Sequence, residues 1–231
     1  MISPFVAILP SAGLGSRFNS DVPKQYCSIA DKTVIEFSID LFLEVEECKA
    51  VCIPISRNDQ YHKKIQEHAK LHFIEGGSSR AESVKKGCDF LDSGDFKYDN
   101  ILIHDPVRPC LTNAELRKML EDFSENKFQA LISAIPVSDT LKLSDNNLIR
   151  STISRENVWR ALTPQLFTKT TLKSAYNSYK EDLSSLTDEA SLFDNLDEEV
   201  RIILGSSENI KITYKEDFKL AKTILFNQKR I

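Results

Sequence analysis

"FVAILPSAGLGSRFNSDVPKQY", residues 5–26, sets an apolar run against a loop that holds two glycines, one arginine and a Pro-Lys pair. A short continuous apolar run closed by turn residues reads as a strand buried on both faces, the kind found in parallel sheets covered by helices. Three glycine-loop chemistries compete for the segment after that strand. A dinucleotide-binding loop needs a third glycine where Phe18 stands, and an acidic residue closing the second strand, where this chain has "PISRN". A Walker A loop needs Gly-Lys-Ser/Thr, whereas Lys24 sits between Pro23 and Gln25. What remains is a loop whose bare amides approach phosphate oxygens, with Arg17 and Lys24 adding fixed positive charge. The plainer alternative is a sharp strand-to-helix turn whose Arg and Lys are merely solvated.

The same alternation continues down the chain. Strand candidates are "FVAILP", "AVCIPI", "HFIEGG", "NILIHD", "ALISAIPV" and "VRIILG". Amphipathic helix candidates fall at 33–45, 59–70, 81–91 and 112–123. Thr112 with Glu115 and Thr213 with Glu216 have capping-box spacing and mark two helix starts. The expected fold is therefore α/β, a doubly wound, mostly parallel, Rossmann-like sheet within one domain over 1–231. Ligands of such sheets sit at the carboxyl ends of the strands, which directs attention to Pro10, Gly76, Gly77, His104, Asp105 and Asp139.

Composition narrows the function classes. The chain has 231 residues, 41% hydrophobic content and a formal net charge of −4. It offers no overall electrostatic footprint for nucleic acid or an acidic membrane, so any anion must be held locally. Its apolar runs are too short to span a bilayer and no signal peptide is visible, which predicts a cytoplasmic protein. Cys27, Cys48, Cys52, Cys88 and Cys110 lack metal-site or disulfide-framework spacing and read as reduced packing residues. His68 and His72 read as a helix end running into a strand rather than a metal pair.

Seven blocks, "PSAGLGSRF…PKQY", "GGSSRAESV", "HDPVRP", "PVSDTLK", "WRALTPQLF", "TDEAS" and "NIKIT", occur in order across nearly the whole chain. With them the sequence resembles the 2-C-methyl-D-erythritol 4-phosphate cytidylyltransferases of the non-mevalonate isoprenoid pathway. Several blocks are shared with the sister enzymes acting on ribitol 5-phosphate, and "HDPVRP" carries a valine also seen among those. A non-catalytic CTP-binding module is a third possibility. The resemblance implies in-line attack of a sugar-alcohol phosphate oxygen on the α-phosphorus of CTP, with pyrophosphate leaving and no covalent enzyme intermediate.

The resemblance also implies residue roles. Arg17, Lys24 and Lys211 match catalytic cations that stabilise the charged α-phosphoryl transition state. Pro10, Ser11, Ala12, Gly13, Leu14 and Gly15 match the phosphate loop of the CTP site. Gly77, Ser78, Arg80 and Ser83 match the block around cytosine and ribose, although Ser78 replaces an acidic residue common there. Asp105 matches a CTP-site residue and is the candidate ligand for Mg2+, which takes most of its oxygens from phosphate and water. Pro106 stands where the family usually has alanine. Arg108 either faces the acceptor phosphate or braces its loop.

Lys211 is also legible locally. Ile210 and Ile212 alternate as on a strand, turning Lys211 and Thr213 the other way, ahead of a helix start. Between 137 and 162, "DTLKLSDNNLIRSTISR" reads as two short strands around a polar turn, and an isolated ribbon is only marginally stable. In the family this segment is an arm that clasps a second subunit. The expectation is a homodimer in which Thr140, Arg155 and Thr163 help hold the acceptor phosphate. His104 is expected to orient Asp105; Phe37, Phe42 and Trp159 to pack in the core or arm; and Asp188 to cap a helix.

Overall fold

The computed structural model of the chain describes residues 1–13, 18 and 22–231. Alternate residues of β1 (Phe5–Ile8) enter opposite cores: Phe5, Ala7 and Leu9 join one apolar cluster, Val6 and Ile8 another. That is the period-two signature of a strand covered on both faces. Six further strands form one sheet with it: β4 (Cys48–Ile55), β5 (Leu71–Glu75), β6 (Asn100–Ile103), β7 (Ala130–Pro136), β10 (Trp159–Thr168) and β11 (Val200–Leu204). Their order is β11-β7-β10-β6-β1-β4-β5. β1 pairs parallel with both β4 and β6, β4 with β5, and β11 with β7, while β10 runs antiparallel to β6 and β7.

Helices α1 (Val34–Leu43) and α3 (Asn113–Asn126) bury Ile35, Ile39, Phe42, Leu116 and Phe123 on one face of the sheet. On the other face, α2 (Arg80–Ser93) and α4 (Lys169–Ser178) bury Val84, Leu91, Leu172 and Tyr176. The fifth helix, α5 (Lys215–Asn227), packs Ala221, Ile224 and Leu225 with Val34, Phe37, Phe18 and Ile212 in a third cluster. All six strand candidates pair in the sheet, and α1, α2 and α3 lie where the periodicity puts them.

Four expectations need correction. Residues 59–70 contain only a short 3-10 turn, His62–Lys64, because Ile65 and Asp59 are their only buried members and a helix without an apolar stripe gains nothing to offset its ordering. The helix start at 213 is displaced by one residue: the Asp217 carboxylate, not Glu216, accepts from the backbone N–H groups of Thr213 and Tyr214, each at 2.8 Å. Residues 209–213 join no sheet; they run extended along the Asp105 loop, where the Ile212 N–H donates to the Val107 carbonyl at 2.9 Å. Finally, β10 is a sheet strand that the sequence read only as a motif. Pro164 within it argues against a strand, and the register with β7 shifts between Ala161 and Gln165.

Two short strands, β2 (Ser28–Ile29) and β3 (Lys32–Thr33), lead into α1. β8 (Leu141–Asp145) and β9 (Leu148–Ile153) form a separate antiparallel hairpin. Its turn residues Asn146 and Asn147 have φ of 48° and 65°, the left-handed pair that a type I′ turn requires. Among the described residues the hairpin pairs with no other strand. Leu143, Leu148, Ile149 and Ile153 are left open, from 43% exposed at Ile153 to 66% at Ile149.

Close approach at the end of β5 draws two loops together. A Cβ on Gly76 would lie 2.6 Å from the Ala12 Cβ and 3.2 Å from the Ile55 carbonyl oxygen. Because the carbonyl belongs to a central strand, there is little room to yield. We expect Gly76→Ala to lower unfolding stability by about 1–3 kcal/mol, measured by urea denaturation with unchanged m; an unshifted midpoint would refute the packing argument.

Candidate active site

The chain passes from β1 to β4 and β5 on one side, then returns to place β6 on the other, so a crevice opens at the carboxyl ends of β1 and β6. There the loops after β1, β5 and β6 enclose a cleft of about 310 Å³ lined by Pro10, Ser11, Ala12, Gly13, Lys24, Gln25, Gly77, Ser78, Ser79, Arg80, Ser83, Asp105, Pro106, Val107 and Lys211.

The first loop is closed at its base, where Gln25 Nε2 donates to the Ser11 carbonyl at 2.9 Å and the Ser11 N–H donates to the Pro54 carbonyl at 2.8 Å. Among the described residues a side chain at Gly13 would meet nothing within 4 Å, and Gly13 lines the cleft, so bare backbone borders it there, as anion approach requires. Lys24 Nζ donates to the Ile212 carbonyl at 2.8 Å, which draws it beside Lys211. Arg17, Leu14 and Gly15 lie outside the described residues.

The second loop is built around Ser79 and Ser83. Ser79 caps α2 by accepting from the Glu82 N–H at 3.1 Å. Ser83 Oγ accepts from the Gly77 N–H at 2.9 Å and donates to the Ser79 carbonyl at 2.8 Å. Its hydroxyl thereby shapes the loop at the edge of the cleft. Ser78 is drawn to Glu82 by both its N–H and its hydroxyl, at 2.7 and 2.6 Å.

The third loop carries Asp105. The Arg108 N–H donates to the Asp105 carbonyl at 3.0 Å, closing a turn with Pro106 at its second position, where a fixed φ is favourable. Thr163 Oγ1 accepts the Asp105 N–H at 2.9 Å and lies 3.1 Å from His104 Nδ1. His104 Nε2 lies 3.1 Å from the Arg108 carbonyl. His104 thus braces the loop through Thr163 and the backbone, not through the Asp105 carboxylate.

Electrostatics distinguish this cleft. Asp105 Oδ1 accepts from Arg80 Nε at 3.0 Å, Oδ2 accepts from Lys211 Nζ at 2.7 Å, and Arg108 Nε stands 3.7 Å away. Burial pushes the carboxyl up, but the pull of Arg80, Lys211 and Arg108 overrides it and holds Asp105 well below the usual carboxylate range. Arg80 also donates through Nη1 to both oxygens of Glu189, at 3.0 and 2.8 Å. Glu189 is fully buried, and burial raises its carboxyl against the pull of Arg80. Sequence reasoning missed Glu189, although it lies inside the "TDEAS" block.

A second pocket of about 210 Å³ adjoins the cleft and shares Arg80, Asp105 and Lys211 with it, adding Arg108, Thr163, Gln165, Thr187 and Asp188. Arg108 both lines this pocket and braces the fold, donating from Nη1 to the Asn209 carbonyl at 2.7 Å. Asp188 caps the next turn by accepting from Ser191 N–H at 3.1 Å and holds Gln165 Nε2 at 2.7 Å. Thr140 and Arg155 are exposed on the hairpin segment and line neither cavity; Arg155 Nη1 turns back to the Ser138 carbonyl.

A comparably large cavity of about 320 Å³ lies between α2 and α4, so size does not choose the site. Its lysines are paired: Lys85 with Asp89, Lys169 and Lys173 with Asp92. The cleft differs in charge balance: its lining residues set Lys24, Arg80 and Lys211 against the one carboxylate of Asp105, whereas the other cavity sets three lysines against Asp89 and Asp92. Among the described residues no three His, Cys, Asp or Glu side chains gather as a metal cage, and no helix is long and apolar enough to cross a membrane.

Comparison with known proteins agrees with this geometry. A family model described as "IspD: 2-C-methyl-D-erythritol 4-phosphate cytidylyltransferase" matches residues 5–227. The 2-C-methyl-D-erythritol 4-phosphate cytidylyltransferase of Wigglesworthia glossinidia brevipalpis is 38% identical over 226 residues, spanning 97% of this chain and 96% of that protein. That of Haemophilus ducreyi is 38% identical over 224 residues, 96% of each chain. The crystal structure of the Francisella tularensis protein of the same description superposes with a TM-score of 0.83 at 29% identity, covering 96% of this chain and all of that one.

Burial depresses the His104 imidazole to about 4 against the opposing charge of Asp105. The native state therefore keeps His104 neutral while the unfolded chain takes up a proton below its ordinary value near 6.5, and stability falls as pH drops from about 6.5 to 4, by roughly 3 kcal/mol at most. Asp105 adds its own loss only below its ordinary value near 3.8. Chemical denaturation across this range should show the His104 slope in the wild type and its absence in His104→Gln; parallel pH profiles would sink the assignment.

Proposed function

Because this chain belongs to the 2-C-methyl-D-erythritol 4-phosphate cytidylyltransferase family, we propose that it transfers the cytidylyl group of CTP to 2-C-methyl-D-erythritol 4-phosphate. The products are 4-diphosphocytidyl-2-C-methyl-D-erythritol and pyrophosphate, in the non-mevalonate route to isoprenoid precursors. The observation that carries the reading is the gathering of Lys24, Arg80 and Lys211 along one cleft, with Arg108 in the pocket beside it, the last three around Asp105.

Two phosphate-bearing anions must meet for this reaction, and their repulsion is the main barrier to approach. Lys24, bonded to the Ile212 carbonyl, and Lys211, bonded to Asp105, line the same cleft and supply fixed positive charge where the α-phosphoryl group accumulates negative charge, with Arg17 expected to join them. Because the acceptor phosphate is already ionised at neutral pH, no side chain has to act as general base. Ala12 and Gly13 border the cleft with backbone that the triphosphate can approach, and the loop of Gly77 to Ser83 forms the wall for cytidine. Arg108 and Thr163 bound the adjoining pocket, which suits the acceptor.

Asp105 fits Mg2+ by donor chemistry: each oxygen accepts one hydrogen bond from a cation and keeps a lone pair, and a single carboxylate suffices when phosphates and water complete the shell. Bound there, the ion would further neutralise phosphate charge. A homodimer through the 137–162 arm accounts for the open apolar side chains of Leu148 and Ile149. It would carry Thr140 and Arg155 toward the acceptor pocket of a second subunit. A cytoplasmic location belongs to the same proposal.

Pyrophosphate release on mixing CTP with the acceptor tests the reaction; turnover only with ribitol 5-phosphate would reassign the acceptor. Lys24→Ala should lose on the order of a hundredfold in kcat while keeping its circular dichroism spectrum, and near-normal kcat would remove the proposed role. Ile149→Asp should shift the sedimentation coefficient from dimer to monomer with loss of activity, whereas a fully active wild-type monomer would defeat the shared-site reading.

A further inference from the structure

Glu189 presents a problem that the reaction as described does not absorb. Its carboxylate is completely buried, and both its oxygens accept from one nitrogen of Arg80. A buried ion pair is a poor device for stability, since desolvating both charges consumes much of their attraction, and well-packed apolar residues often serve as well. Its presence beside the cleft calls for another explanation.

Arg80 offers one. Its guanidinium is a rigid planar fork. Nε is fixed on Asp105, just after β6, and Nη1 on Glu189, which lies 109 residues away in the sequence. Two bonds from different nitrogens define the plane of the fork and so fix the direction of the third. That third nitrogen, Nη2, is buried and has no hydrogen-bond partner among the described residues, on a side chain that lines both the nucleotide cleft and the adjoining pocket. A buried donor left unpaired is costly unless something completes it.

We propose that Glu189 is a positioning residue: it locks the plane of Arg80 between two carboxylates so that Nη2 is held ready for a phosphoryl oxygen of the substrates. The inference rests on the cytidylyl-transfer reading. With Asp105 alone, the fork would rotate about a single bond and could turn bidentate onto that carboxylate, withdrawing Nη2 from the substrates and competing with Lys211.

Glu189→Asp keeps the charge but shortens the reach by one methylene, and Arg80→Lys keeps a cation but cannot hold both carboxylates in a plane. Each variant should lower kcat/KM at least fivefold, with competent sites counted by calorimetric titration with CTP so that a loss of folded protein does not register. The double variant should be no worse than the poorer single one, as expected of residues acting as a unit. A loss expressed through CTP assigns the phosphoryl oxygen to the nucleotide, and one expressed through 2-C-methyl-D-erythritol 4-phosphate assigns it to the acceptor; both support the proposal. Losses below fivefold for either variant on both substrates, or losses that multiply in the double variant, overturn it. If Glu189→Asp gives no soluble protein, Arg80→Lys decides on the same threshold. An inactive wild type would fail the proposed reaction alone, and the calorimetric CTP affinity would then carry the same comparison.

Discussion

One carboxylate has to stand among the cations for this cleft to exist. Lys211, Arg80 and Arg108 would repel each other out of a shared site if nothing of opposite sign lay between them, and Asp105 occupies that position, in contact with the first two and 3.7 Å from the third. Its ionisation is forced by the same neighbours that it gathers, so anion and cations stabilise one another's charge in a setting where each alone would be costly. The consequence for chemistry is a preorganised field. Positive charge is already in place when a triphosphate arrives, and no reorganisation has to accompany phosphoryl transfer.

Holding Asp105 is in turn the work of backbone geometry. Pro106 fixes the turn after β6, Thr163 from β10 accepts the Asp105 N–H, and His104 remains neutral beneath them. β10 matters here because of its direction. Running antiparallel between β6 and β7, it brings Thr163 and Gln165 beside the end of β6, where a parallel strand reached by a crossover would bring other residues. The extended segment at 209–213 completes the arrangement. Arg108 and Asn209 bond it to the loop and to Thr163, which delivers Lys211 to Asp105 and the Ile212 carbonyl to Lys24.

The hairpin shows the opposite balance. Its turn chemistry is local and complete, with two asparagines in left-handed conformation, yet Leu143, Leu148, Ile149 and Ile153 find no cover among the described residues. Folding of the arm is a short-range matter, whereas its burial is not supplied by the described residues and is what the proposed second subunit would provide.

Much of this was legible in the amino-acid order, because the signals involved are local. Apolar runs between helical periods gave six strands and three helices, since side-chain alternation follows from backbone period alone. The Thr112–Glu115 cap and the Asn-Asn turn likewise depend on residues a few positions apart. Residue type and motif order placed Lys24, Arg80, Asp105 and Lys211 in one site. Other features depended on distance in space. The 59–70 segment looked helical but had too little core to meet, and Pro164 hid a strand whose antiparallel pairing on both sides only the assembled sheet supplies. Glu189 was invisible as a partner because its bond to Arg80 spans 109 residues. Short-range periodicity and turn chemistry are written in the chain; which charges face one another across a buried cleft is decided by packing, because only there does the loss of water make their pairing compulsory.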